Sequence, residues 1–249
     1  MRKFYDLLVS ADLLTPETLS YMRELGFSGV GASISAQLFL ESPEAAMKMF
    51  EQLRERGREE GLDVVTRLSI DVPMKEGLAK KILRRWRTRV ELITVHAMNR
   101  QLTAFACRDT RVDVLTLVPG ARLLKGDLMY MKEYGKRVEL LLAPLQEGDA
   151  RVRASTLSYY LAVLGKLAKG RRPDILLLFS SGATEVRSLR DARSMAALLH
   201  TIGIPYEYAL DALSKNALDL VTESREKLAG IIPVRGVKII GKESAGGIR

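Results

Sequence analysis

The sequence predicts an α/β barrel of parallel strands, and three observations carry that expectation. Seven short apolar runs alternate with amphipathic or capped helical segments along most of the chain, and right-handed helical crossovers between parallel strands bury such runs on both faces. The glycine-rich fingerprint of a dinucleotide-binding sheet is missing, because Val9-Ser10-Ala11-Asp12 follows the first strand instead. A chain of 249 residues, 47% of them apolar, can bury the core of one α/β barrel or of two smaller domains, and its length and regular rhythm favour the barrel over an open sheet. The barrel domain is placed at residues 1–233, and a basic, Gly-rich tail expected to be mobile at 234–249.

Strand one is placed at 4–9. Thr15-Pro16-Glu17 offers an N-cap with proline at the first helical position, opening a helix that ends near Gly26. Strand two follows at 27–32, with 33–37 as its exit loop. Ser42-Pro43-Glu44 repeats the capped start, and the helix to Arg58 carries Ala46, Met49, Phe50 and Leu53 on one face. Strand three occupies 64–70 and ends at Asp71-Val72-Pro73. A basic helix then spans 74–89: Leu78, Ile82, Leu83 and Trp86 recur at helical spacing, while Lys80, Lys81, Arg84, Arg85 and Arg87 fill much of the remainder.

Strand four runs over 90–95 and exits at His96. A helix at 100–108, strand five at 112–118, a helical stretch at 129–134 and strand six at 138–143, closed by Pro144, come next. Arg151 and Arg153 open a long helix with Leu157, Leu161, Leu164 and Leu167 (or Ala168) inward. The turn Arg171-Arg172-Pro173-Asp174 precedes strand seven, an apolar run ending at Phe179. Ser188 reads as the cap of a new helix with Asp191 at its third position. Helices at 190–201, 205–213 and from Ser214 to about Leu228 complete the chain, and no eighth strand is evident beyond a stub at Ile202-Gly203-Ile204-Pro205.

In a barrel of this kind functional residues lie at the carboxyl ends of strands, which directs attention to Asp12, Asp71, His96, Arg122, Arg153 and Arg187. The seventh exit, Ser180-Ser181-Gly182-Ala183, combines small residues with Arg187 and Arg190. Its backbone amides and hydroxyls suit a phosphate-facing loop of Ser180, Ser181 and Gly182; an ordinary strand-to-helix connection with two solvated arginines is the plainer reading. The chain has two histidines, in no HxH or HxxH pair, so no metal site is expected. Ser180 and Ser181 lack a G-x-S-x-G elbow, and Cys107 sits in an apolar context that suits a buried, inert thiol. Catalysis by the chain alone is not expected.

A net charge of +9 calls for an acidic partner, most commonly nucleic acid. The strand-exit arginines Arg100, Arg122, Arg153, Arg187 and Arg190 form the RNA-binding set, since a guanidinium can grip a phosphate with two parallel hydrogen bonds. The basic helix at 80–89 reads equally as an RNA contact or as a solvated face. Tyr159 and Tyr160 suit helix packing better than base stacking. One cysteine, no apolar run of signal-peptide length at the start and none long enough to span a bilayer fit a cytoplasmic protein without a membrane partner.

The chain resembles the ribonuclease P protein component 3 family. The resemblance rests on Phe4-Tyr5-Asp6-Leu7, on Leu178-Phe179-Ser180-Ser181-Gly182-Ala183, on Val186-Arg187-Ser188-Leu189-Arg190-Asp191, on Gly203-Ile204-Pro205 and on the Ala-Leu-Ser-x-Asn element ending at Asn216. It departs from the family pattern at Leu189, where proline is expected. The resemblance implies a TIM-like barrel of the polymerase-and-histidinol-phosphatase type without the histidine-rich metal site. It further implies an RNA-binding subunit of the ribonucleoprotein that removes 5′ leaders from precursor tRNA, with catalysis and magnesium belonging to the RNA. The implied partners are the ribonuclease P RNA, precursor tRNA through that RNA, and a ferredoxin-like protein subunit in a heterotetramer. A barrel enzyme acting on a small phosphorylated metabolite is the rival expectation.

Overall fold

Parallel pairing in unbroken chain order, β1-β2-β3-β4-β5-β6-β7, organises the computed structural model, which describes residues 2–167 and 176–231. The strands are β1 (Phe4–Ser10), β2 (Phe27–Ser35), β3 (Asp63–Ile70), β4 (Leu92–His96), β5 (Val114–Thr116), β6 (Arg137–Leu141) and β7 (Leu176–Ser180). The crossovers carry α1 (Pro16–Glu24), α2 (Ala36–Glu41), α3 (Pro43–Glu59), α4 (Glu76–Trp86), α5 (Arg100–Arg108), α6 (Lys125–Glu133), α7 (Ala143–Gln146) and α8 (Ala150–Leu167). After β7 come α9 (Ala192–Thr201), α10 (Tyr206–Leu213) and α11 (Lys215–Leu228). This is the expected TIM-like barrel, nearly closed. The expected turn at 171–174, Ala168, Ile175 and the tail at 234–249 lie outside the described residues.

With seven strands, β1 must meet β7 to close the ring. Gly182 donates to the Leu8 carbonyl at 3.0 Å, and Ser10 donates to the Ala183 carbonyl at 2.9 Å. Between them the Asp6 carboxylate accepts from the Ser181 amide at 3.0 Å. A bulge in β1 turns Asp6 to this seam: Leu7 and Leu8 stand opposite Gly31 alone. A Cβ at Gly31 would fall 2.1 Å from the Leu7 carbonyl oxygen, so only glycine lets β2 approach the bulge.

The barrel interior is layered. At the amino end Tyr5, Leu7, Val65, Leu92, Val114 and Leu178 pack against Ala217, Leu220 and Val221 of α11, which plugs that end. Above them lies a polar layer built on Arg67 and Glu139, both fully buried. Arg67 also donates to the Leu7 carbonyl at 2.8 Å and to Thr116 at 3.0 Å. Glu139 accepts from Thr116 and Ser180 at 2.6 and 2.7 Å. The ring of neighbours satisfies the charged pair, which is the condition for burying it. Outside the sheet, the apolar faces of the helices make the larger core.

Several elements differ from expectation. Residues 33–35 of the expected exit loop extend β2, and its last two, Ala36 and Gln37, open α2. Pro144 stands in the first turn of the short helix α7 instead of closing a strand, as its fixed φ permits there. On α8, Leu161 is 47% exposed while Thr156, Tyr160 and Val163 face inward with Leu164 and Leu167. The Tyr160 hydroxyl sets that rotation, donating to the Leu141 carbonyl and accepting from its amide. The last crossover starts later than expected. A 3-10 turn covers Val186–Ser188, Leu189 is extended and buried, and Asp191 caps α9 by accepting from the Arg193 and Ser194 amides.

Candidate nucleic-acid interface

The strand order decides where the arginines fall. Arg100 is the first residue of α5 after β4, Arg122 lies between β5 and α6, Arg153 stands in the first turn of α8 after β6, and Arg187 and Arg190 follow β7. Parallel strands place every such exit at the carboxyl end of the barrel. All five residues are exposed, and they occupy four consecutive exits. The topology puts all five after strand exits at the same end of the barrel.

Their electrostatic settings differ. Arg100 forks onto Asp127 with contacts of 2.7 and 2.8 Å, and Asp127 also accepts from the Leu124 amide at the start of α6. Those hydrogen bonds hold the Arg100 pKa above its usual value and neutralise much of its charge locally. Arg187 pairs with Glu185 in solvent, an ion pair of small energetic consequence. Arg190 is oriented without being neutralised: one of its terminal nitrogens donates to the carbonyls of Arg187 and Leu189 at 2.7 and 2.6 Å. Arg122 and Arg153 have no acidic partner among the described residues.

The small-residue loop faces inward. Ser180 donates to Glu139 and Ser181 donates to the Leu8 carbonyl; both serines are buried. The amides of Ser181, Gly182 and Ala183 are bound to Asp6, to the Leu8 carbonyl and to the Ser181 hydroxyl respectively. Gly182 turns this corner at φ +66°, in the left-handed region that favours glycine. Arg187 and Arg190 are the groups this exit turns outward.

The mouth of the barrel holds a cavity of about 300 Å³ whose lining includes Asp12, Asp71, His96, Ser33 and Ser35. Asp71 accepts from Ser35 at 2.6 Å. Burial, then the Arg67 charge below it, pushes the His96 pKa down to about 4, so the imidazole is neutral at pH 7. Carboxylates and a neutral ring offer a phosphate no cation. No group of three or more His, Cys, Asp or Glu among the described residues is arranged to hold a metal ion. Cys107 is buried, and burial pushes its thiol up to about 12.

The basic helix α4, which ends at Trp86 and not at Arg89 as expected, and the residues just after it use several of their charges locally. Arg85 and Arg89 lie over the Trp86 ring at 5.1 and 5.7 Å. Lys80 pairs with Glu76, and Arg87 with Asp113. The polar layer inside the barrel is the feature that the sequence reading omits. Its signal is present as Arg67 and Glu139, single charges in the middle of apolar runs.

A seven-stranded parallel barrel with arginines turned outward at four successive exits is a scaffold suited to a polyanion. Comparison with known proteins is specific. The chain belongs to the RNase P subunit p30 family, whose model matches residues 3–229. A curated relative, Ribonuclease P protein component 3 of Methanococcoides burtonii, is 25% identical over 231 residues, covering 90% of this chain and 89% of that protein. Its namesake in Methanosarcina acetivorans is 26% identical over 232 residues, covering 90% of each. A chain in the cryo-EM structure of archaeal ribonuclease P with mature tRNA superposes with a TM-score of 0.78, at 18% identity, over 96% of this chain and 99% of that one. N-acetyl-D-glucosamine-6-phosphate deacetylase from Mycobacterium smegmatis shares the barrel at a TM-score of 0.50 and 11% identity, over 92% of this chain and 78% of that one. No helix among the described residues is long and apolar enough to cross a membrane.

Proposed function

We propose that this chain is the subunit of ribonuclease P that binds the catalytic RNA and supports its removal of 5′ leaders from precursor tRNA. The observation that carries the reading is an exposed arginine at each of four consecutive strand exits in a member of the RNase P subunit p30 family. Packed RNA phosphates repel one another, and guanidiniums fixed on a rigid rim lower the cost of bringing them together. Arg122, Arg153, Arg187 and Arg190 grip phosphates, and Arg100 does so while anchored to Asp127. Ser180, Ser181 and Gly182 support that surface by fixing the loop on which Arg187 and Arg190 stand.

Catalysis and magnesium belong to the RNA, through which the precursor tRNA is met. A ferredoxin-like subunit joins the chain in a heterotetramer, and the assembly works in the cytoplasm. The rival reading, an enzyme for a small phosphorylated metabolite, lacks a cation in the mouth cavity where such a substrate would sit.

The test is reconstitution of the full chain with ribonuclease P RNA, followed by leader cleavage at several salt concentrations. The triple change Arg122→Ala, Arg153→Ala, Arg190→Ala is expected to weaken activation and to reduce the slope of log affinity against log salt by about 2–3. Unchanged activation at every salt concentration overturns the reading. Turnover of a phosphorylated metabolite by the chain alone favours the rival.

A further inference from the structure

Between α8 and α9, beside the seventh strand exit, a cleft of about 460 Å³ opens to solvent. Leu145, Leu157, Met195 and Leu198 line it, and Arg153 and Arg190 contribute their side chains. The two guanidiniums are not there to neutralise carboxylates: among the described residues neither has an acidic partner. Arg190 is instead held by neutral acceptors, the carbonyls of Arg187 and Leu189. The Gln146 side chain adds a third, accepting from Arg190 Nε at 3.2 Å when its amide nitrogen faces the Ser188 carbonyl. An arginine fixed this way keeps its full charge and a set direction.

The occupant must satisfy both halves of this arrangement. A wholly apolar segment would cover the leucines and leave the cations beside a dry surface, which is costly. A phosphate from the backbone of a duplex would meet the arginines and leave the cleft wet. A flat ring with apolar faces and polar edges, joined through a sugar to a phosphate, matches both when its edges stay toward the open side, and RNA presents that chemistry wherever a nucleotide is unpaired and turned out of its stack. We propose that the cleft accepts the base of one unpaired ribonucleotide whose phosphate is held by Arg153 and Arg190. The inference rests on the RNA-binding reading above and adds a specificity to it: this part of the rim takes a bulged or single-stranded nucleotide in preference to a continuous helix.

Two strands of equal charge separate the base from the phosphates. One is an RNA backbone of abasic residues carrying a single 2-aminopurine, and the other is abasic throughout. The full-length chain is expected to bind the first about ten-fold more tightly, the order of one base buried against a protein surface, with a change in 2-aminopurine emission on binding. Ala154 lines the cleft from an exposed position on α8, so Ala154→Trp fills the space with the arginines intact. It is expected to bring the affinity for the 2-aminopurine strand down to that for the abasic one. Arg153→Ala is expected to weaken binding of both.

Equal binding of the two strands by the unaltered chain overturns the cleft proposal, a comparison that needs no variant to fold. If ribonuclease P RNA is still bound in that case, the RNA reading stands. Failure to bind any of the three RNAs removes both. A preference that survives Ala154→Trp assigns the cleft elsewhere and also overturns the proposal.

Discussion

Arg67 and Glu139 meet in the middle of the barrel through two parallel hydrogen bonds of 2.8 and 2.6 Å, with neither side chain exposed. Burial alone would raise the Glu139 pKa, but the Arg67 charge and the bonds from Arg67, Ser180 and Thr116 hold it below its usual value. The pair ties β3 to β6 across the interior, and through the Leu7 carbonyl and Ser180 it reaches β1 and β7. Glu139→Gln leaves the guanidinium buried without a counter-charge and is expected to cost about 3–5 kcal/mol. Replacing both partners, Arg67→Met with Glu139→Leu, is expected to cost less than the single change, because no orphan charge remains. Urea unfolding at pH 7 checks the order; a double variant weaker than the single one would show that the pair itself, and not its completeness, stabilises the barrel.

Asp6 and His96 give opposite pH dependences in nearly the same window. Burial raises the Asp6 pKa to about 6 against the hydrogen bonds that lower it. Folding therefore favours the protonated acid, and that contribution is present below about pH 4 and lost as pH rises through 6. Burial and then Arg67 lower the His96 pKa to about 4. Folding favours the neutral ring, and that contribution is present above about pH 6.5 and lost as pH falls toward 4. Each is on the order of 3 kcal/mol, so they largely cancel in the unaltered chain. Asp6→Asn is expected to leave stability rising from pH 4 to 6.5, and His96→Gln to leave it falling from pH 4 to 6. Chemical denaturation of both variants across this range reads the two slopes; slopes of the same sign would refute the assignment.

The rim arginines differ in what their removal disturbs. Arg153 has no acidic partner among the described residues, so Arg153→Ala is expected to weaken RNA binding with stability unchanged within about 0.5 kcal/mol. Arg100 joins the start of α5 to Asp127, which in the first turn of α6 accepts from the Leu124 amide. Arg100→Ala is expected to weaken RNA binding and also to lower stability by about 1 kcal/mol. Paired thermal melts and filter-binding titrations separate these cases.

The strand rhythm is legible in the sequence because parallel strands covered on both faces are mostly apolar, and a run such as Leu176-Leu177-Leu178-Phe179 has few other uses. Thr15 is legible as a cap because the bond it accepts from the Thr18 amide is local. The inward face of α8 is not, since leucines at 157, 161 and 164 satisfy helical spacing equally well and the bond that chooses against Leu161 joins Tyr160 to Leu141 in another element. The start of α9 fails similarly: Ser188 and Asp191 are both competent caps, and burial of Leu189 selects the second. For the interface, topology turns scattered arginines into a rim. Which of them keep their charge depends on neighbours such as Asp127, distant in sequence.

The amino end of the barrel offers a last test, because α11 closes it in two ways at once. Leu220 and Val221 reach the interior beside Leu7, Val65 and Leu178, while Arg225 forks onto Asp63 and donates to Glu91 at 2.6 Å. The polar clasp has substitutes: Glu91 still accepts from the Thr66 amide and hydroxyl and pairs with Arg54, and Asp63 still accepts from Tyr5. The apolar contact has none, since a shortened Leu220 leaves a cavity that rigid strands cannot fill. Leu220→Ala is expected to cost about 2–5 kcal/mol, and Arg225→Ala about 1 kcal/mol after the remaining partners and its partial exposure are considered. Denaturation of the two variants decides between plug and clasp: a larger loss for Arg225→Ala would mean that the ion pairs, not the buried side chains, hold α11 across the end of the barrel.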